Sequence, residues 1–156
     1  MAASEESQVA FNGVAEFTGN SANINGGAVS LTDSQLEFTG HSSFINNTAV
    51  YSGVGFYSAG KGETASFQSA YFKGNKAVYG GGVFANNYNV TFNDAVTFEN
   101  NEASTDGAGV YILSRSEVDF KEAATFSRNV AAERGGGIMI ISSNVNLKNG
   151  TFTDNY

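Results

Sequence analysis

Cysteine, proline and tryptophan are absent from these 156 residues, and histidine occurs once. Without cysteine there are no disulfides, thiolate metal sites or cysteine nucleophiles, and the redox compartment is left open. Basic residues are few: 8 Lys and Arg stand against 15 Asp and Glu, for a net charge of -7. A binder of nucleic-acid phosphates needs a basic surface that releases counterions, so no nucleic-acid partner is expected. No apolar run approaches the roughly 18 residues of a membrane-crossing helix, and no membrane insertion of this segment is expected. Met1-Ala-Ala-Ser-Glu-Glu6 lacks the basic start and apolar stretch of a secretory signal. Helical periodicity is missing as well. What is present is 19 Gly, 18 Asn, 41% apolar and 13% aromatic residues. That is a turn-rich chain with enough apolar side chains for one core, built of many short strands.

A repeat organises those strands. Phe-x-x-Asn occurs at Phe17/Asn20, Phe44/Asn47, Phe72/Asn75, Phe98/Asn101, Phe126/Asn129 and Phe152/Asn155, at spacings of 26 to 28 residues. Two positions after each of the first five Asn comes Ala22, Ala49, Ala77, Ala103 or Ala131. A glycine-rich run follows: Gly26-Gly27-Ala28-Val29, Gly53-Val54-Gly55-Phe56, Gly80-Gly81-Gly82-Val83, Gly107-Ala108-Gly109-Val110 and Gly135-Gly136-Gly137-Ile138. An alternating segment completes each copy, as in Leu36-Glu-Phe38 and Val118-Asp-Phe120. Three short strands in each repeat of this length describe an all-β fold, a parallel β-helix of five to six coils. The strong handedness bias of parallel crossovers makes it right-handed. Residues 1–156 form a single domain with an edge segment over 1–8.

Each column has a physical reason. The Phe of the motif stack inside as an aromatic ladder, and a coil gains a core only from its neighbours. The Asn amides bond the next coil's Asn or backbone at a corner where water is excluded. Ala fits an inward bend, and the glycines supply positive φ and close approach at a second corner. Leucine-rich repeats fail on four Leu in the chain, and calcium-binding glycine repeats fail because Val, Phe or Ile follows the glycines.

Phe-x-x-Asn-x-Ala followed by Gly-Gly-Ala-Val resembles the repeat of the chlamydial polymorphic membrane proteins, over about residues 9 to 155. The resemblance implies an autotransported adhesin passenger, secreted to the cell surface on the outer membrane of a Gram-negative-type bacterium. The family's membrane barrel has no counterpart in these residues, so a fragment of a longer passenger is expected.

Enzymes on β-helices need clustered carboxylates, and here the outward positions Glu16, Ser43, Tyr71, Thr97, Thr125, Thr151 and Glu37, Ser66, Thr91, Asp119, Asn146 hold no pair. His41 reads as a solvated turn residue. Gly55 to Lys61 mimics a phosphate loop but continues with Gly62, and reads as an insertion between strands. The aligned Thr97, Thr125 and Thr151 are a β-branched strand face, and three glycosylation sequons, at Asn46, Asn89 and Asn149, arise easily in so Asn-rich a chain. No catalytic, metal or cofactor site is expected. The feature without a scaffold role is the column after Val29, Phe56, Val83, Val110 and Ile138. There Tyr57, Phe84, Tyr111 and Met139 face outward as an apolar stripe, as a partner-binding surface, under a loop of the chain itself, or simply exposed.

The expected function is therefore a non-enzymatic surface adhesin or structural passenger that binds a protein or glycan on a host cell or matrix. The alternative is a polysaccharide-processing lyase or hydrolase on the same scaffold. Unpaired strand edges add an expectation of end-to-end self-association, with Glu5 and Glu6 giving partial charge protection at one end.

Overall fold

The computed structural model describes residues 1–3 and 7–156; Glu5 and Glu6 lie outside the described residues. Its described elements are strands, paired in parallel with segments one coil away, and they form a solenoid of about six turns. Three walls enclose the core. The glycine wall contains Ala2–Ala3, Val29–Thr32, Phe56–Ala59, Val83–Asn86, Val110–Leu113 and Ile138–Ile141. The long wall is built from strands such as Gln35–Ile45, Thr64–Lys73, Glu117–Ser127 and Asn144–Thr153. In these the alternating segment runs on into the next Phe segment, with register shifts between Phe38 and His41 and between Phe120 and Ala123.

The third wall carries the alanines that the motif reading placed at a bend. Ser21–Ala22, Thr48–Ala49, Lys76–Tyr79, Glu102–Asp106 and Val130–Ala131 form a sheet of their own. The physical reason lies one residue earlier: the Asn amides hold successive coils in register. The chain leaving each Asn is therefore already paired, with the N–H of Thr48, Lys76, Glu102 and Val130 donating to the carbonyls of Asn20, Asn47, Asn75 and Asn101.

Each inner Asn is buried and uses every amide function. Asn101 Nδ2 donates to Asn129 Oδ1 at 2.9 Å and to the Phe72 carbonyl at 3.0 Å. Its Oδ1 accepts from the Nδ2 and the backbone N–H of Asn75. The same pattern links Asn20 through Asn155. A buried amide left without partners is costly, so this ladder ties the corner of one coil to the next.

The core holds two aromatic ladders. Phe17, Phe44, Phe72, Phe98, Phe126 and Phe152 stack at centroid separations of 4.7 to 4.9 Å. Phe11, Phe38, Phe67, Phe92 and Phe120 stack beside them at 4.8 to 5.0 Å, and the column ends on Leu147. The ladders meet edge to face, as between Phe92 and Phe98 at 5.9 Å. Both arrangements suit the ring quadrupole and add about 0.5–1.5 kcal/mol per pair beyond area burial.

One corner departs furthest from the repeat. Two residues, as in Asp33–Ser34 or Asn87–Tyr88, or three at 114–116, join the glycine wall to the long wall elsewhere, but Gly60–Glu63 does so after Phe56–Ala59. Tyr88 stands where other coils have Ser34, Ser116 and Ser143. Its ring is fully buried across the longer corner, and its hydroxyl donates to the carbonyl of Ser34, two coils away, and to that of Thr64 at 3.4 Å. Contrary to the sequence reading, the phosphate-loop mimic is not as a whole an insertion between strands: Gly55 belongs to the glycine run and Phe56–Ala59 to the glycine wall, and only Gly60 and Lys61 fall in the longer corner before Thr64–Lys73.

Candidate binding corner

The outward stripe is in register. Ser30, Tyr57, Phe84, Tyr111 and Met139 are paired partners on successive strands of the glycine wall. Tyr57 stacks on Phe84 at 5.2 Å, and Phe84 lies 5.5 Å from Tyr111. Exposure varies along the stripe. Tyr57 and Met139 are half-buried, but Phe84 and Tyr111 are each only 8% exposed.

The cover comes from ring stacking along the axis: Phe84 lies between Tyr57 and Tyr111, and Tyr111 also stacks on Tyr79. The first glycine of each run has positive φ, between 57° and 69°, at Gly26, Gly53, Gly80, Gly107 and Gly135. The bend folds the stripe back over the glycine four residues earlier. A Cβ at Gly53, Gly80, Gly107 or Gly135 would stand 2.7, 2.9, 2.7 or 2.8 Å from the Cβ of Tyr57, Phe84, Tyr111 or Met139. Glycine is therefore required twice, once for the left-handed backbone and once to seat the stripe. The second and third glycines, including Gly27, Gly81, Gly82 and Gly136, serve close approach: a Cβ at Gly82 would meet the Phe98 ring at 3.0 Å.

The more exposed apolar residues lie just before that glycine, where the sequence reading did not look. Ile24, Val50 and Tyr51 are 62%, 54% and 56% exposed, and Val78 and Tyr79 are partly exposed. Backbone bonds run from the Tyr51 N–H to the Ile24 carbonyl and from the Val78 N–H to the Tyr51 carbonyl, so the row follows the solenoid axis. Thr105 and Glu133 take its place in the last two coils. A signal was available: the solenoid needs no large apolar residue in a turn that precedes a glycine, yet three coils have one.

Between the row and the stripe lies a cavity of about 330 Å³ lined by Ser52, Tyr79, Phe84, Asp106, Tyr111, Leu113 and Arg134. Tyr79 stacks on Tyr111 at 5.6 Å. Arg134 grips Asp106 with both arms, Nε to Oδ1 at 3.0 Å and Nη2 to Oδ2 at 2.7 Å. Asp106 is 1% exposed, whereas the Arg134 side chain is 59% exposed. Burial pushes the phenols of Tyr57 and Tyr111 above their ordinary range.

Other candidate residues stay apart. His41 sits exposed in the bulge of the long wall, with Nδ1 2.9 Å from Ser69 Oγ. Three carboxylates on the outer walls face basic partners: Glu99 meets Lys73 and Arg128 as well as the Tyr71 hydroxyl, Glu102 meets Lys76 at 2.7 Å, and Glu122 meets Lys148 at 2.6 Å. These contacts hold the Glu99 carboxyl below its ordinary range, chiefly through the Tyr71 hydroxyl. Among the described residues no three Asp, Glu or His converge as a metal site.

Residues 15–32 and 95–113 match the Chlamydia polymorphic membrane protein repeat, so the chain carries repeats of that type. No curated protein and no solved structure matches the chain significantly.

Proposed function

We propose that this solenoid is a surface-displayed, non-enzymatic passenger segment that binds a partner on a host cell or matrix through the corner formed by Ile24, Tyr51, Tyr79 and the Tyr57–Met139 stripe. The repeat type supports the setting, because polymorphic membrane protein repeats suggest an exposed autotransporter passenger at the outer membrane. One observation carries the choice of face: large apolar side chains crowd the outside of this corner, where neither ladder needs them. Such a patch, with Tyr and Arg at its edge, has the composition of an interface core.

Binding of the labelled chain to epithelial cells tests the reading, with Ile24→Ser and Tyr51→Ser as variants on exposed positions that leave the core intact. Binding that falls in both variants supports the corner, and wild-type binding unchanged by either variant moves the site elsewhere. A screen for turnover of acidic polysaccharides tests the non-enzymatic part, which activity above background overturns.

A further inference from the structure

The partner's chemistry is narrowed by the cavity beside the row. We infer that Ser52, Tyr79, Tyr111 and the Arg134–Asp106 pair form a subsite for a neutral oligosaccharide lying along the solenoid axis; this rests on the reading of the corner as the binding face. The Arg134 guanidinium has five N–H donors. Two are fixed on Asp106, which orients the group and leaves the others for a ligand. Because the buried Asp106 carboxylate already offsets its charge, this fork suits hydroxyl and amide oxygens rather than a sulfate or carboxylate. The chain's net charge of -7 also opposes a polyanionic glycan.

The rings add the second half of sugar chemistry. Tyr79 is the partly exposed ring, with an apolar face and a hydroxyl, and Tyr111, only 8% exposed between Phe84 and Tyr79, backs it and limits its rotamers. A pyranose presents the matching pair, a C–H face and a rim of hydroxyls. Spacing separates this ligand from a peptide. Groups on successive coils recur at about the 4.8 Å strand separation, whereas an extended peptide repeats a side at about 6.6–6.8 Å. One sugar of an extended chain advances close to one coil, so successive residues of a glycan meet successive members of the column Ser52, Tyr79, Asp106 and Arg134. The cavity, about 330 Å³, is at the small end for ligand sites.

The test uses the whole 156-residue chain on an array of high-mannose, galactose-terminated and heparin oligosaccharides at low and high salt, with Tyr79→Ala and Arg134→Gln beside wild type. Binding to a neutral class, insensitive to salt and weakened about tenfold in each variant, is the expected result. Salt-sensitive binding to heparin alone, no glycan binding, or neutral binding that neither variant weakens overturns the inference. Thermal denaturation of both variants accompanies the array; should Arg134→Gln fail to fold, Tyr79→Ala decides. Cells stripped of accessible sugars by periodate separate this inference from the reading beneath it. If treated cells still bind, and binding still falls with Tyr51→Ser, the corner binds a protein and only the carbohydrate inference fails. Absence of binding to any cells removes the reading itself.

Discussion

Arg128 shows how strictly single positions are set. The residue before each motif Asn adopts positive φ, and the column reads Gly19, Asn46, Gly74, Asn100, Arg128 and Asp154. Glycine, asparagine and aspartate tolerate that region, whereas for a longer side chain it costs about 1–2 kcal/mol. Arg128 offsets this only through an exposed pair with Glu99 and a bond to Asn100, and such a pair contributes about 0–1 kcal/mol. Arg128→Asn should therefore raise stability by about 0.5–1 kcal/mol, read as a higher urea midpoint at unchanged slope; a lower midpoint contradicts it. Tyr88 gives a pH-dependent counterpart. Burial pushes its phenol well above the ordinary range. A raised acid keeps its full stabilising contribution below the unfolded value of about 10 and loses it as pH climbs beyond that. Stability should hold to about pH 9 and then fall. Tyr88→Phe should be less stable by about 1–3 kcal/mol at neutral pH, because the buried Ser34 carbonyl loses its donor, with a shallower alkaline decline. Denaturation melts at neutral and alkaline pH check both parts; equal alkaline slopes would clear Tyr88 of the effect.

At the scale of the strand and its ladder, position along the axis decides cost. Phe98 is fully buried between Phe72 and Phe126, each 4.9 Å away, and meets Phe92 and Phe120 edge to face. Phe152 stacks on Phe126 alone and is 52% exposed. Phe98→Ala should cost about 3–5 kcal/mol and Phe152→Ala much less, since truncation there leaves an open recess rather than an enclosed cavity. Chemical denaturation that finds the two equal would refute a linear stack. The ladder motif was readable because each column needs one residue type at one place. The second ladder was half readable: Phe38, Phe67, Phe92 and Phe120 stood in the alternating segments, but only the joining of those segments to the next Phe strand puts the two columns in edge-to-face contact.

For the whole molecule, the last coil of the 156-residue chain presents Ile140 and Phe152 to solvent, with Val145 and Leu147 partly exposed, while Phe11 and Phe17 are partly exposed at the other end. The two faces carry the same columns and so match head to tail, and open edges promote pairing. This chain should show concentration-dependent association in sedimentation, reduced when Thr151→Lys and Thr153→Lys place charge beside the edge. Wild type that stays monomeric at high concentration defeats the open-edge argument.

Phe-x-x-Asn and the glycine runs recur because stacking imposes the same steric and hydrogen-bonding demand on every coil. Periodicity alone therefore determined the solenoid, its inward columns and the outward direction of Tyr57, Phe84, Tyr111 and Met139. Exposure is not periodic. It depends on what neighbouring coils lay over a side chain, and only the tertiary structure shows Phe84 enclosed between Tyr57 and Tyr111, and Tyr111 between Phe84 and Tyr79. Ile24 and Tyr51, just before the bends at Gly26 and Gly53, stay outside, and Asp106 meets Arg134 from the adjacent coil. The scaffold was written in the repeats, and the candidate site was decided where the corners depart from them.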